Sequence, residues 1–381
     1  MHRVRRLSGG VGVILLALLA VAGGYQIFAL IACLKRLFFR ERLTGFMPGI
    51  SILKPIRGAD PAFYEAIRSH AQLDYPDFEI LFGISDANDA AVPHIERLIA
   101  EFPQRNIRMI TVTTVTPNGK VGSMIDLARE ARFAILLVND SDIKVEMDYL
   151  QKVAAPLERP DVGLVTCLYR ATGSCFAGRF EGLGIDTDFA PSTLVAPFVG
   201  IDEFALGSTL AFRRADLERI GGFAAIADYI ADDYQLGHKI HALGLKCYLA
   251  EPVVETYLGA TGFVEAWQHQ VRWARTIRAC RRSGYMGLPV TFATVWVVVG
   301  LALGATMPAL ALLAARYALA LVASLLVLGV KRDRWMLFLV PLRDLWGAAV
   351  WVAGLAGRKV YWRDFVLELS PDGRIVRSGR L

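Results

Sequence analysis

The run LLVNDSDIKV (136–145) is an apolar stretch that stops abruptly at Asn139, Asp140, Ser141 and Asp142. On an extended chain residues two apart point the same way, so Asp140 and Asp142 are expected to aim two carboxylates at one point just past a strand. Carboxylates that close repel unless positive charge stands between them. The pair suits a hard divalent cation, Mg2+ or Mn2+, which prefers oxygen ligands and usually keeps water and substrate phosphates in its shell. Three other stretches carry chemistry-bearing residues. ISDANDAA (84–91) holds Asp86 and Asp89, YIADDYQLGHKI (229–240) holds Asp232 and Asp233, and HQVRWARTIRACRR (269–282) is basic and aromatic. Each has a plain structural reading too. A DxD can be no more than a turn at a strand end. Asn88 or Asp89 can cap a helix, Asp232 and Asp233 can complement a helix dipole, and arginines beside an apolar block can face lipid headgroups.

The elements that must position these residues follow from periodicity. ISILKPIRG (50–58), FEILFGISD (78–86), IRMITVT (107–113) and FAILLVND (133–140) are apolar, β-branched runs bounded by turn residues. Val92, Ile95, Leu98, Ile99 and Phe102 recur at helical spacing between two of them. Strand and helix alternating in this way predict an α/β domain with a mainly parallel, Rossmann-like sheet. Ligands of such sheets bind beyond the carboxyl ends of the strands, where Asp86 and Asp140 fall. There is no GxGxxG and no GxxxxGK[ST], which argues against a dinucleotide-binding domain and a P-loop. A DxD without those glycine fingerprints suits a nucleotide-sugar site.

Composition adds a membrane. The 381 residues are 54% hydrophobic with a mean hydropathy of +0.41, a net charge of +6 and a pI near 9.1. No basic tract interleaved with aromatics and no nucleic-acid motif is present, so the charge reads as membrane flanks, not as nucleic-acid binding. Cys33, Cys167, Cys175, Cys247 and Cys280 form no CxxC pair, so thiols in a reducing compartment are expected and a zinc site is not. The stretch 11–34 is expected to be a retained transmembrane helix, flanked by Arg3, Arg5, Arg6 and by Lys35, Arg36, Arg40, Arg42. The block 286–330 is long enough for two spans. The stretch 335–357 carries Arg343 and Asp344 in its middle and is open between a span and an interfacial or re-entrant segment. The expected organisation is an anchor with its basic flank (1–46), a cytoplasmic catalytic domain (47–285), membrane helices (286–357) and a basic tail (358–381).

In this order and spacing the motifs resemble the ceramide glucosyltransferase family, a membrane branch of the inverting, family 2-like glycosyltransferases with the GT-A fold. The resemblance runs from SILKPIRGADP through LDYPDFEILFGISDAND, NGKV, DSDIKV, VGLVTCLYR, GSTLAFRRADLERIGGF, ADDYQLG and HQVRWAR to WRDFVLELSPDGRI. It implies a UDP-sugar donor. Asp86 would contact the uridine, with Asp89 in the same acidic motif and Lys54 and Lys120 in the nucleotide pocket. Asp140 and Asp142 would hold the metal on the diphosphate, and Asp233, directly before a Tyr, would be the general base. Arg272 and Trp273 belong to the family's [QR]xxRW motif, placed by the diphosphate and the acceptor. Here the leading position is His269 instead of Gln or Arg.

The resemblance also implies a lipid acceptor in the bilayer. Glucosyl transfer to a ceramide is the leading expectation. N-acetylglucosaminyl transfer to a hopanoid polyol is the alternative, since bacterial hopanoid-biosynthesis glycosyltransferases share these motifs. The Arg- and Ala-rich composition suggests a bacterial inner-membrane protein. A processive polysaccharide synthase is disfavoured because few spans follow the catalytic part. A non-catalytic membrane scaffold is the reading outside enzymology.

Overall fold

β1 (Ile50–Pro55), β2 (Phe78–Ile84) and β4 (Ile135–Val138) form where the sequence runs almost unbroken in apolar and β-branched residues. Such runs are the signature of strands covered on both faces. β3 (Asn106–Thr111) is only half buried, as suits an edge strand. β5 (Val162–Gly173), β6 (Leu210–Arg213) and β7 (Lys246–Leu258) complete a seven-stranded sheet in the order β3-β2-β1-β4-β6-β5-β7. β1 pairs in parallel with both β2 and β4, β2 pairs in parallel with β3, and β6 runs antiparallel to β4 and β5. The fold is thus the mainly parallel α/β arrangement expected from the sequence, with an antiparallel flank the periodicity did not announce. The computed structural model describes residues 9–259, 262–362 and 365–380. Arg3, Arg5, Arg6 and the Arg363–Asp364 pair of the last motif lie outside them.

The chain divides into two compact units. The sheet unit comprises Arg40–Thr172, Ile201–Gly259 and Asp364–Leu381; the helical unit comprises Met1–Phe39, Gly173–Gly200 and Ala260–Arg363. In the sheet unit one apolar layer joins Ile52, Ile80, Phe82 and Leu137 to Ile67 and Ile95 of the covering helices. The other joins Leu53, Leu81, Leu136 and Val138 to Met124, Leu127 and Leu236. Alternate residues of one strand thus enter opposite layers. Each fully buried aliphatic side chain contributes roughly 1.5–3 kcal/mol. Residues 358–380, read from sequence as a basic tail, instead contain strands: Phe365–Leu369 pairs antiparallel with Ile375–Arg380. The turn residues Pro371, Asp372 and Gly373 between them, with Gly373 at φ 85°, make this hairpin legible in retrospect.

In the helical unit Gly12–Leu37, Thr306–Val327 and Arg334–Leu355 are long and apolar enough to cross a membrane. Arg282–Val290 and Ala293–Ala302 form a further apolar pair bent by 46°. The stretch left open in the sequence is therefore a helix of spanning length. Its mid-helix charges are engaged within the unit. Arg316 Nη2 donates to Asp344 Oδ1 at 2.7 Å, and Thr294 Oγ1 donates to Asp344 Oδ2 at 2.8 Å. Arg343 Nη2 donates to Gln270 Oε1 at 2.9 Å.

Candidate active site

Strand β1, the loop after β4 and the starts of two helices bring charged side chains together in the sheet unit. Helix Gly119–Glu130 begins at the NGK motif. The Asn118 side chain caps it by accepting from the Lys120 N–H at 3.1 Å, while Asn118 Nδ2 donates to the Tyr229 carbonyl at 2.8 Å. That second bond ties the helix start to the segment leading into helix Asp232–His241, where Asp232 and Asp233 occupy the first turn as expected. Lys120 Nζ lies 2.8 Å from Asp140 Oδ1 and 3.0 Å from Asp232 Oδ2. Burial works against the ammonium charge, but Asp140, Asp232 and Asp233 outweigh it and hold Lys120 above its ordinary range.

Gly207, just ahead of β6, is a residue that motif reading passed over. Its N–H donates to Asp233 Oδ2 at 3.0 Å. A Cβ built at this position would stand 3.2 Å from Asp140 Oδ2, 3.3 Å from Asp233 Oδ2 and 3.8 Å from Lys120 Nζ. Asp140, Asp233 and Lys120 therefore converge on one bare stretch of backbone. The signal was present as the first residue of GSTLAF, and its meaning depends on contacts between residues far apart in sequence. Burial and the neighbouring Asp232 push the Asp233 carboxyl up to about 6, against the pull of Lys120.

The DSD stretch differs from the extended geometry expected. The chain turns at Ser141–Asp142, with the Ile143 N–H reaching the Asp140 carbonyl at 3.4 Å. The two carboxylates consequently have separate supports. Asp140 faces Lys120, while Asp142 Oδ2 accepts from Thr256 Oγ1 at 2.5 Å and the Tyr257 N–H at 3.2 Å on β7. Burial, then the charge of Asp140, holds Asp142 above the usual carboxylate range. A cation relieves that condition. Among the described residues no group of three or more His, Cys, Asp or Glu side chains is placed to hold a metal. A divalent cation at this turn would therefore draw at most the Asp140 and Asp142 carboxylates from the protein, its remaining positions going to water and phosphate oxygens.

The other positions singled out in the sequence fall as follows. Lys54, expected in the nucleotide pocket, is fully buried, and its Nζ donates to the Asp140 carbonyl at 3.1 Å. Burial pushes it down to about 7, with Asp142 and Asp140 opposing. It braces the DSD turn from beneath. Asp86 is exposed beyond the end of β2 and accepts from the Asn88 N–H at 2.9 Å. Asp89 accepts from the Gly58 N–H at 2.8 Å, which ties the loop after β1 to the loop after β2, and from the Ala91 N–H at 2.9 Å; it does not cap helix Val92–Glu101, whose N-cap is Ala91 with no side-chain cap bond.

The basic, aromatic motif belongs to the helical unit, on helix Phe263–Cys280. His269 stacks obliquely on Trp273 with ring centroids 4.8 Å apart, and Trp273 meets Phe189 at 6.3 Å. His269 Nδ1 lies 2.5 Å from Glu181 Oε1. Arg275 donates to the Ala356 carbonyl at 3.0 Å and Arg278 to the Gly357 carbonyl at 2.7 Å, so part of the basic run satisfies the end of a neighbouring helix.

Comparison with known proteins sets this geometry in context. The sequence model of glycosyl transferase family 21 matches residues 14–375. Ceramide glucosyltransferase 1 of Caenorhabditis elegans is 27% identical over 228 residues, which are 59% of this chain and 49% of that protein. Beta-monoglucosyldiacylglycerol synthase of Synechocystis sp. is 22% identical over 234 residues, 60% of this chain and 47% of that protein. The chain spans about half the length of these curated relatives. A mannosyltransferase from Pyrobaculum calidifontis, solved in complex with GDP-Man and Mn2+, superposes with a TM-score of 0.56 at 20% identity, covering 89% of this chain and 98% of that one. That likeness is one of fold.

Proposed function

The chain belongs to glycosyl transferase family 21, and from that premise we propose that it transfers a sugar, with glucose favoured, from UDP to a hydroxyl of a membrane lipid of the ceramide type, with inversion at the anomeric carbon. The observation that carries this reading is the convergence of Asp140, Asp233 and Lys120 around Gly207, beside the Asp142 turn. A leaving diphosphate needs its charge neutralised, and an alcohol needs a base. Both requirements have residues here. The names of the relatives support the lipid acceptor, because they act on ceramide and on a diacylglycerol.

Asp140 and Asp142 would hold a divalent cation, which when bound neutralises charge on the diphosphate. Asp233 takes the proton from the acceptor hydroxyl as its oxygen bonds to the anomeric carbon. The bond from that carbon to the UDP oxygen breaks in the same displacement, and UDP leaves with the electron pair. Lys120 balances the charge of Asp233 and Asp140. For Arg272 and Trp273, which belong to the helical unit, the family motif supports parts in binding phosphate and acceptor. With Asp233 as the base and the other carboxylates given to the metal and to Lys120, the displacement is a single one, so an α-linked donor yields a β-linked product. Asp86 meets the uridine. The catalytic unit faces the cytoplasm of a bacterial cell, where UDP-sugars are made, and the apolar helices bring it to the inner membrane.

The test is lipid analysis by mass spectrometry after membranes bearing the chain are given labelled UDP-glucose or UDP-N-acetylglucosamine with ceramide or a hopanoid polyol. A hexosyl-ceramide is the expected product. Asp233→Asn should lower turnover about 10²–10⁴-fold while UDP binding survives. An N-acetylhexosaminyl hopanoid would move the acceptor and leave the site as argued. Full activity in Asp233→Asn would remove the base.

A further inference from the structure

The hairpin of Phe365–Leu369 and Ile375–Arg380 is an element that the reaction described above does not use. It belongs to the sheet unit and is anchored there at both ends. At its open end, where Phe365 pairs with Arg380, the Arg57 guanidinium lies 4.7 Å from the centre of the Phe365 ring. Arg57 stands in the loop after β1, next to Gly58, whose N–H donates to Asp89. At its turn the hairpin reaches residues 228–230, just before helix Asp232–His241. The Ile375 N–H donates to the Asp228 carbonyl at 2.7 Å, the Ile230 N–H donates to the Gly373 carbonyl at 3.1 Å, and Tyr229 pairs with Arg374 between them. The Arg374 guanidinium lies 5.0 Å from the centre of the Tyr229 ring.

The other edge of the same segment is taken as well. The Asn118 N–H donates to the Ala227 carbonyl at 3.0 Å, and Asn118 Nδ2 donates to the Tyr229 carbonyl at 2.8 Å. The carbonyls of 227 and 229 thus face the helix that carries Lys120, while the carbonyl of 228 and the N–H of 230 face the hairpin. That alternation is the one an extended strand makes with two neighbours. The segment leading to Asp232 and Asp233 is a short strand held along both edges.

The helix it leads into needs such support. Its N-cap is Ala231, with no side-chain cap bond, and Ala is among the poorest caps. Its start is therefore left to contacts from elsewhere in the fold. The first turn also brings Asp232 and Asp233 up to Asp140 around the ammonium of Lys120. Three carboxylates to one shared ammonium repel, and the repulsion pushes the turn away from Asp140. We propose that the hairpin turn, with Gly373 and Arg374 at its centre, is a positioning element for glycosyl transfer: by pairing with residues 228–230 it sets where helix Asp232–His241 begins, and so where Asp233 stands against Gly207 and Lys120. The proposal rests on the reading of Asp233 as the base and adds the residues that hold it in place.

Gly373 sits at φ 85°, where a β-branched side chain is strained and Asn is better tolerated. The experiment compares Gly373→Val and Gly373→Asn with the wild type, on the full-length protein in detergent. It is read as kcat and KM for labelled UDP-glucose with ceramide, and as UDP binding with Mn2+ by calorimetry. Gly373→Val should lower kcat about 10- to 100-fold, while KM for UDP-glucose and UDP binding hold. Gly373→Asn should keep most of the turnover. Added to Asp233→Asn, Gly373→Val should cost nothing further, since no base is left to position. An equal loss of turnover in both backgrounds, or UDP binding lost together with kcat, would make the hairpin a support of the fold alone. Either result overturns the proposal and leaves the glycosyltransferase reading intact, as does wild-type turnover in Gly373→Val. Absence of transfer from any nucleotide sugar by the wild-type chain overturns both. If Gly373→Val fails to fold, Arg374→Ala, which keeps the backbone and strips the cation from the Tyr229 ring, carries the same comparison.

Discussion

Two charged clusters sit in this molecule, one in each unit, and they are built on opposite principles. In the helical unit Arg316 and Asp344 are sealed, with side chains 1% and 3% exposed. Their charges balance, and their remaining polar atoms go to Thr187 and Thr294. In the sheet unit Lys120 faces Asp140 and Asp232 with Asp233 and Asp142 close by, and the Asp140 side chain is 44% exposed. Negative charge exceeds positive there, and part of it meets solvent. A closed, balanced pair holds helices together. An open, unbalanced cluster is ready for a cationic or phosphate-bearing partner.

The sharpest way to break this comparison is to remove one carboxylate from each cluster and weigh stability. Asp344→Ala leaves Arg316 charged and buried, which should cost about 3–5 kcal/mol. A large fall in the thermal unfolding midpoint in detergent is expected, whereas the paired replacement Arg316→Met with Asp344→Leu should recover most of it. If Asp344→Ala unfolds at the wild-type temperature, the pair is no architectural element.

Asp142→Ala should weigh the other way, costing less stability than Asp344→Ala, since the Thr256 hydroxyl and the Tyr257 N–H lose their acceptor while repulsion falls, and losing ligand. Its carboxyl is raised by burial and by Asp140, so removing it relieves repulsion. The loss of a charged contact should weaken UDP binding in the presence of Mn2+ by roughly 1.5–3 kcal/mol, about ten- to a hundredfold. Titration calorimetry with and without Mn2+ measures it. Unchanged binding with the metal would remove Asp142 from the metal site.

The same contrast explains what could be read in the sequence. β1, β2 and β4 were legible because covered strands must be apolar throughout, and so were the positions of Asp140 past the end of β4 and of Asp233 at a helix start, where such sheets present ligands. The antiparallel flank was not, since β7 alternates partly buried positions with only occasional sealed ones and shows no clean period. Nor was the turn at Ser141–Asp142, which is set by Thr256 and Tyr257, more than a hundred residues on. Gly207 was visible only as the first residue of GSTLAF, and its part depends on Asp140, Asp233 and Lys120, which reach it from across the fold. Arg343 and Asp344 were visible as charges in an apolar stretch, but their partners Gln270 and Arg316 lie on other helices.

The smallest expected effect separates Asp233 from its neighbour. Asp233 is held up to about 6 by burial and then by Asp232. A base must be ionised to take a proton, so turnover should rise with pH through about 6 and level off above it. Asp232→Asn removes the like charge and also leaves Lys120 with fewer competing carboxylates. Both changes favour the ionised form of Asp233, so the acidic limb of the rate profile should move to lower pH while the plateau changes little. If the limb stays where it was, the group titrating in the rate is not Asp233. If it moves and the plateau collapses as well, Asp232 does more than tune its neighbour, and the open cluster has a second acid that acts on the substrate.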